Sequence, residues 1–110
     1  MAVMEITKEN CEEEVLRSPI LAVIDFWGPK CVPCMALMPK YHELADNPSY
    51  KGKVKFCSVD TSKNRRVAIT LKVMGTPAFL YYKGGKEIAR VSGESTTIDS
   101  VKAKIDELVA

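Results

Sequence analysis

The stretch Leu21-Ala22-Val23-Ile24-Asp25-Phe26-Trp27 limits the folds open to this chain more than any other. It is almost continuously apolar and shows no polar alternation, so a strand formed here needs cover on both faces. A central strand flanked by helices meets that need, which points to the α/β class. Gly28-Pro29 breaks the run and aims the chain at Cys31-Val32-Pro33-Cys34. Two thiols so spaced at a helix start face each other across the first turn, close enough to form a disulfide and open again. C-x-x-C in such a βαβ setting reads as redox chemistry.

Asp25 is the exception in the run. An ionised carboxylate inside a covered strand is costly, so it is either neutralised by a raised pKa or kept for chemistry. The alternative is a strand end that lets it reach solvent. After the cysteines, Cys34, Leu37, Met38, Tyr41, Leu44 and Ala45 recur at helical spacing. Cys34 therefore points inward, while Cys31 lies at the helix start. There, free backbone N–H groups and the positive end of the helix dipole favour a thiolate, which makes Cys31 the exposed nucleophile. Pro33 fits the first turn, whereas Pro39 falls inside the pattern and is expected to kink the helix. Met35 and Met38 read as packing residues and His42 as a surface residue.

The other elements follow from local signals. Met4 to Thr7 alternates as a short strand, and Asn10, three before Glu13, reads as the N-cap of a helix that stops before Pro19. Val54 to Val59 forms another strand, and Asn64 to Val73 a short amphipathic helix with Arg65, Arg66 and Lys72 around it. Those charges read as a solvated face or as a basic docking edge for an acidic partner. Pro77 opens the run Ala78 to Tyr82, and Gly84-Gly85 marks a two-residue hairpin into Glu87 to Val91. X-Pro bonds are cis in only about 5% of cases, so spacing alone favours trans at Thr76-Pro77. Thr96, with Asp99 three later, is expected to cap a last helix. The order is β-α-β-α-β-α-β-β-α.

With 110 residues and 46% apolar composition, the chain suits one domain over residues 1–110. A net charge of +2, with both signs interspersed, gives no case for nucleic acid or an anionic membrane. The start Met1-Ala2-Val3-Met4-Glu5 has no secretory pattern and no apolar run is long enough to span a bilayer, so a cytoplasmic monomer is expected. Cys11 and Cys57 lack zinc-knuckle spacing, so no metal is expected. Cys11 reads as a small apolar filler.

Asp25-Phe26-Trp27, Cys31-Val32-Pro33-Cys34, Pro39, Gly75-Thr76-Pro77, Gly84-Gly85 and Gly93 resemble the thioredoxin family in type, order and spacing over essentially the whole chain. The resemblance implies a mixed five-stranded sheet flanked by four helices, with Pro77 cis and packed against the disulfide. It implies a protein-disulfide reductase in which Cys31 attacks a partner disulfide, Cys34 resolves the mixed disulfide, and Asp25 takes the Cys34 proton directly or through a water. Thr76 would offer backbone groups to the partner, with Trp27, Met74, Gly75 and Gly93 forming a flat apolar surface. The redox group would be the Cys31–Cys34 disulfide with no other cofactor. The partners implied are a flavoprotein thioredoxin reductase and disulfide-containing proteins.

Three departures from the common family motif stand out. Lys30 replaces a Trp and should acidify Cys31. Val32 replaces a Gly and adds a branched side chain that narrows partner choice. Phe56 stands where many members carry a Lys, which should raise the proton affinity of Asp25. With Ala36-Leu37-Met38-Pro39 and Arg65-Arg66, these features are similar to thioredoxins of amino-acid-fermenting anaerobic bacteria. Such proteins can feed glycine or sarcosine reductase, so a dedicated electron donor is one alternative. A redox-idle binding subunit is another, and a glutaredoxin-type role is a lesser variant without a clear glutathione site.

Overall fold

The computed structural model describes residues 2–110; Met1, the first residue of the N-terminal stretch read above, lies outside them. Five strands form one sheet in the order β1-β3-β2-β4-β5: β1 (Val3–Glu5), β2 (Leu21–Trp27), β3 (Val54–Asp60), β4 (Ala78–Lys83) and β5 (Lys86–Ser92). β1 and β2 flank β3 in parallel, and β4 and β5 add antiparallel strands on the other side of β2. The run Leu21–Trp27 is thus the middle strand, with every residue but Trp27 buried.

Alternation along β2 divides the core in two. On one face Ala22, Ile24 and Phe26 pack with Cys57, Val59, Leu80 and Tyr82 under a π-helical segment (Glu12–Leu16) and α2 (Arg65–Thr70). On the other, Leu21 and Val23 pack with Phe56, Phe79 and Tyr81 under α1 (Val32–Ala45) and α3 (Ile98–Val109). Each fully buried aliphatic or aromatic side chain contributes about 1.5–3 kcal/mol. A polar substitution on either face of β2 would therefore damage one of the two cores.

Several boundaries differ from the sequence reading. Asn10 does not cap the first helical segment. Its Oδ1 accepts from the Thr7 N–H at 2.8 Å and its Nδ2 donates to the Glu5 carbonyl at 3.0 Å, closing a local turn that competes with capping. The segment that follows adopts π geometry. The N-cap of α3 is Thr97, not Thr96. Thr97 has the extended backbone a cap needs, and its Oγ1 accepts from the Ser100 N–H at 3.1 Å while its own N–H donates to Ser100 Oγ, so Ser replaces the usual Glu in a capping box. α2 stops at Thr70 rather than Val73, because Lys72 turns left-handed at φ 62°. α1 runs through Pro39 as one helix. Met35 is exposed and does not serve the core, unlike the packing role expected of it. The Gly84-Gly85 hairpin forms as read, both residues at positive φ, and a Cβ on Gly85 would stand 3.1 Å from the Leu16 carbonyl oxygen.

Candidate active site

Cys31 and Cys34 are joined by a disulfide, with Cα atoms 5.2 Å apart. The loop from β2 turns through a Cys31 N–H to Gly28 carbonyl bond of 3.1 Å, which makes Cys31 the N-cap of α1 in extended conformation. Its Sγ accepts from the Cys34 N–H at 3.3 Å. Pro33 fits this first turn because its missing N–H has no acceptor there. Cys31 is partly exposed, and Cys34 is buried on the α1 face that carries Leu37, Tyr41 and Leu44. Reduction would leave one sulfur at the surface beside a backbone N–H, and the other inside.

Asp25 is 2% exposed, so the solvent-reaching alternative does not hold. It follows Val23 by two positions and so shares the sheet face that α1 and α3 cover. Burial pushes its carboxyl up to about 7. Next to Val23 in register on β3 is Phe56, buried and edge-on to Tyr41 at 5.6 Å between ring centroids. The Tyr41 hydroxyl donates to the carbonyls of Val23 and Cys57 at 3.0 and 2.8 Å, pinning α1 across β2 and β3 beside the acid.

The sheet brings a distant loop to the disulfide. Because β4 runs antiparallel to β2, its first residue, Ala78, pairs with Phe26 near the cysteines. The preceding Thr76-Pro77 bond is cis, contrary to the base rate and in line with the family resemblance. Pro77 is buried and accepts from the Gly93 N–H at 3.1 Å. Lys30, Cys31, Val32, Pro33, Met74, Gly75 and Thr76 all line one open groove of about 850 Å³. Pro77 and Gly93 line an adjoining depression that shares Met74, Gly75, Thr76 and Glu94 with it. Trp27 lines neither; it is partly buried, and its carbonyl accepts from Thr61 N and Oγ1 at 2.9 and 3.0 Å. From α2, Arg65 of the expected basic edge lines the groove, and so does Ile69, which sequence reasoning missed. The available signal was Ile69, an apolar residue off the buried stripe Val67, Ala68 and Leu71.

The thioredoxin family model matches residues 2–107. The chain belongs to the thioredoxin family. It is 39% identical over 102 residues to a thioredoxin of Peptoclostridium acidaminophilum, covering 93% of this chain and 91% of that protein. It is 37% identical over 105 residues to a thioredoxin of Acetoanaerobium sticklandii, covering 96% and 98%. The crystal structure of Malassezia sympodialis thioredoxin superposes with a TM-score of 0.87 at 28% identity, covering 98% of this chain and 91% of that one. The protein is a thiol–disulfide oxidoreductase whose redox group is the Cys31–Cys34 disulfide. Thioredoxins work with a thioredoxin reductase and with disulfide substrates. No helix among the described residues is long and apolar enough to cross a membrane.

Proposed function

We propose that this chain reduces protein disulfides by a two-step exchange in which Cys31, Cys34 and Asp25 have distinct roles. In the reduced form the Cys31 thiolate attacks one sulfur of a partner disulfide, forming a mixed disulfide and releasing one partner thiolate. Cys34 then loses its proton to Asp25 and attacks the Cys31 sulfur. The Cys31–Cys34 disulfide forms, the second partner thiol leaves, and two electrons have passed to the partner. A flavoprotein thioredoxin reductase restores the dithiol. The observation that carries this reading is the asymmetry of the pair: Cys31 partly exposed at an N-cap with a backbone N–H on its sulfur, Cys34 1% exposed.

Asp25 is suited to its part because a carboxyl near 7 can take and return a proton at neutral pH. Thr76 lines the groove, where its backbone would pair with an extended partner segment. Met74, Gly75 and Gly93 border that path. Lys30, Val32 and Pro33 shape the approach to Cys31, while Trp27 lies outside the groove and its carbonyl holds Thr61.

Reduction of insulin by dithiothreitol should accelerate in the presence of this protein, and Cys31→Ser should abolish the effect. Cys34→Ser should accumulate mixed disulfides with partners from a lysate. Activity retained by Cys31→Ser would overturn the assignment. Donation to one metabolic enzyme, such as glycine or sarcosine reductase, is the second reading. Val32, 79% exposed beside Cys31, favours it by restricting access. It predicts a single dominant trapped partner and weak insulin activity.

A further inference from the structure

The groove over the disulfide is lined by exposed apolar side chains together with an excess of positive charge. Val32, Ile69 and Met74 are 79%, 66% and 99% exposed, an unusual display of large apolar side chains on one surface. Lys30, from the β2–α1 loop, and Arg65, the first residue of α2, both line the groove. Lys63 and Arg66 are exposed beside Arg65, and the segment from Thr61 to Thr76 contains no acid. Among the described residues none of these four cations forms an ion pair, so their charge is open to a partner. Asp60, at the end of β3, is buried and turns its carboxylate to Ser62, accepting from its N and Oγ at 2.9 and 2.7 Å. Glu94 is the one acid that lines the groove. Cations left without intramolecular partners beside an apolar contact surface are complementary to a negatively charged binding segment.

We propose that the groove selects disulfide partners whose sequence around the attacked cysteine is acidic, with Arg65 and Lys30 as the recognising charges. This rests on the disulfide-reductase reading above. An apolar residue of the partner would lie on Val32, Ile69 and Met74, and its carboxylates would meet the α2 side of the groove.

The test uses three disulfide peptides with one common cysteine-containing core, flanked by Glu, by Ser or by Lys, and follows their reduction by the reduced full chain. At low salt kcat/KM should be about tenfold higher for the Glu-flanked peptide than for the Lys-flanked one, with the Ser-flanked peptide between. At about 0.5 M salt the ratio should fall toward one, because exposed charges are then screened within a few ångström. Arg65→Glu should collapse or invert the ratio. Lys86→Glu makes the same change in net charge in β5, at the hairpin end of the sheet away from the cysteines, and should leave the ratio unchanged. Equal rates for the Glu- and Lys-flanked peptides, with the Ser-flanked peptide turned over, would overturn the inference alone. So would a Lys86→Glu effect as large as that of Arg65→Glu. No reduction of any of the three would overturn the reductase reading and the inference with it.

Discussion

Asp25 is the residue at which burial and chemistry meet. Unfolded, its carboxyl titrates near 3.9, whereas in the folded chain burial holds it up to about 7. Between those values the folded state binds the extra proton, so stability falls as pH rises from about 4 to about 7 and stays low above that. Asn carries no such burden. Asp25→Asn should therefore be more stable than the parent by about 2–4 kcal/mol at pH 8, a gap that closes below pH 4. Urea unfolding across that range would measure it. The same variant should also lose the rise in turnover through about pH 7 that an ionisable proton acceptor gives. A variant whose stability tracks the parent at every pH would show that Asp25 is not held neutral by burial. Its place in an apolar run marked it in the sequence. Its register partners Ser58 on β3 and Phe79 on β4 came from strand pairing.

The connection from α2 to β4 shows how elements far apart in sequence hold the loop that lines the groove. Arg90 on β5 donates from Nη1 to the Lys72 carbonyl at 3.0 Å and from Nη2 to the Leu71 carbonyl at 3.2 Å, satisfying acceptors left open at the end of α2. The carboxylate of Glu87 fixes the guanidinium through Nε at 2.7 Å and Nη2 at 2.8 Å. This network holds the left-handed turn at Lys72 from which Val73 to Thr76 depart into the groove. Arg90→Ala should cost about 1–2 kcal/mol and raise KM for a protein disulfide more than it lowers kcat. Arg90→Lys should not restore KM, because an ammonium cannot hold two carbonyls and a bidentate carboxylate together. Thermal melts with steady-state kinetics on insulin would check both; an unchanged KM would show that the loop keeps its position without Arg90. Nothing in the local sequence linked Arg90 to Lys72, since the β4–β5 register decides that meeting.

At the scale of the molecule, one sheet with two separate cores gives the four cysteines different fates. Cys11 and Cys57 share the core beneath the π-helical segment and α2, while the Cys31–Cys34 disulfide sits at the end of β2, at the start of α1. Cys57 is 0% exposed and burial pushes its thiol up to about 12; burial also raises Cys11. Neither offers a thiolate at neutral pH. The reduced native protein should titrate two thiols rapidly with an aromatic disulfide reagent and four after denaturation. Four fast thiols in the native protein would mean that the core under the π-helical segment opens readily.

The order of elements, the central strand, the hairpin turn and the redox pair are set by residues adjacent in sequence, through apolar patterning, glycine at positive φ and thiols across one helical turn. They were legible for that reason. The structure moves both caps: Asn10 turns its side chain back to Thr7 and Glu5, and Thr97 rather than Thr96 has the extended backbone that lets it cap with Ser100. The family resemblance anticipated the cis bond before Pro77 and the surface at Thr76 and Met74, and the apolar run anticipated a buried Asp25. Only the tertiary structure brought Ile69 to the same groove and set the register of Asp25 with Ser58 and Phe79. Those outcomes depend on strand order and register, and a run of residues carries no record of what lies beside it in the sheet.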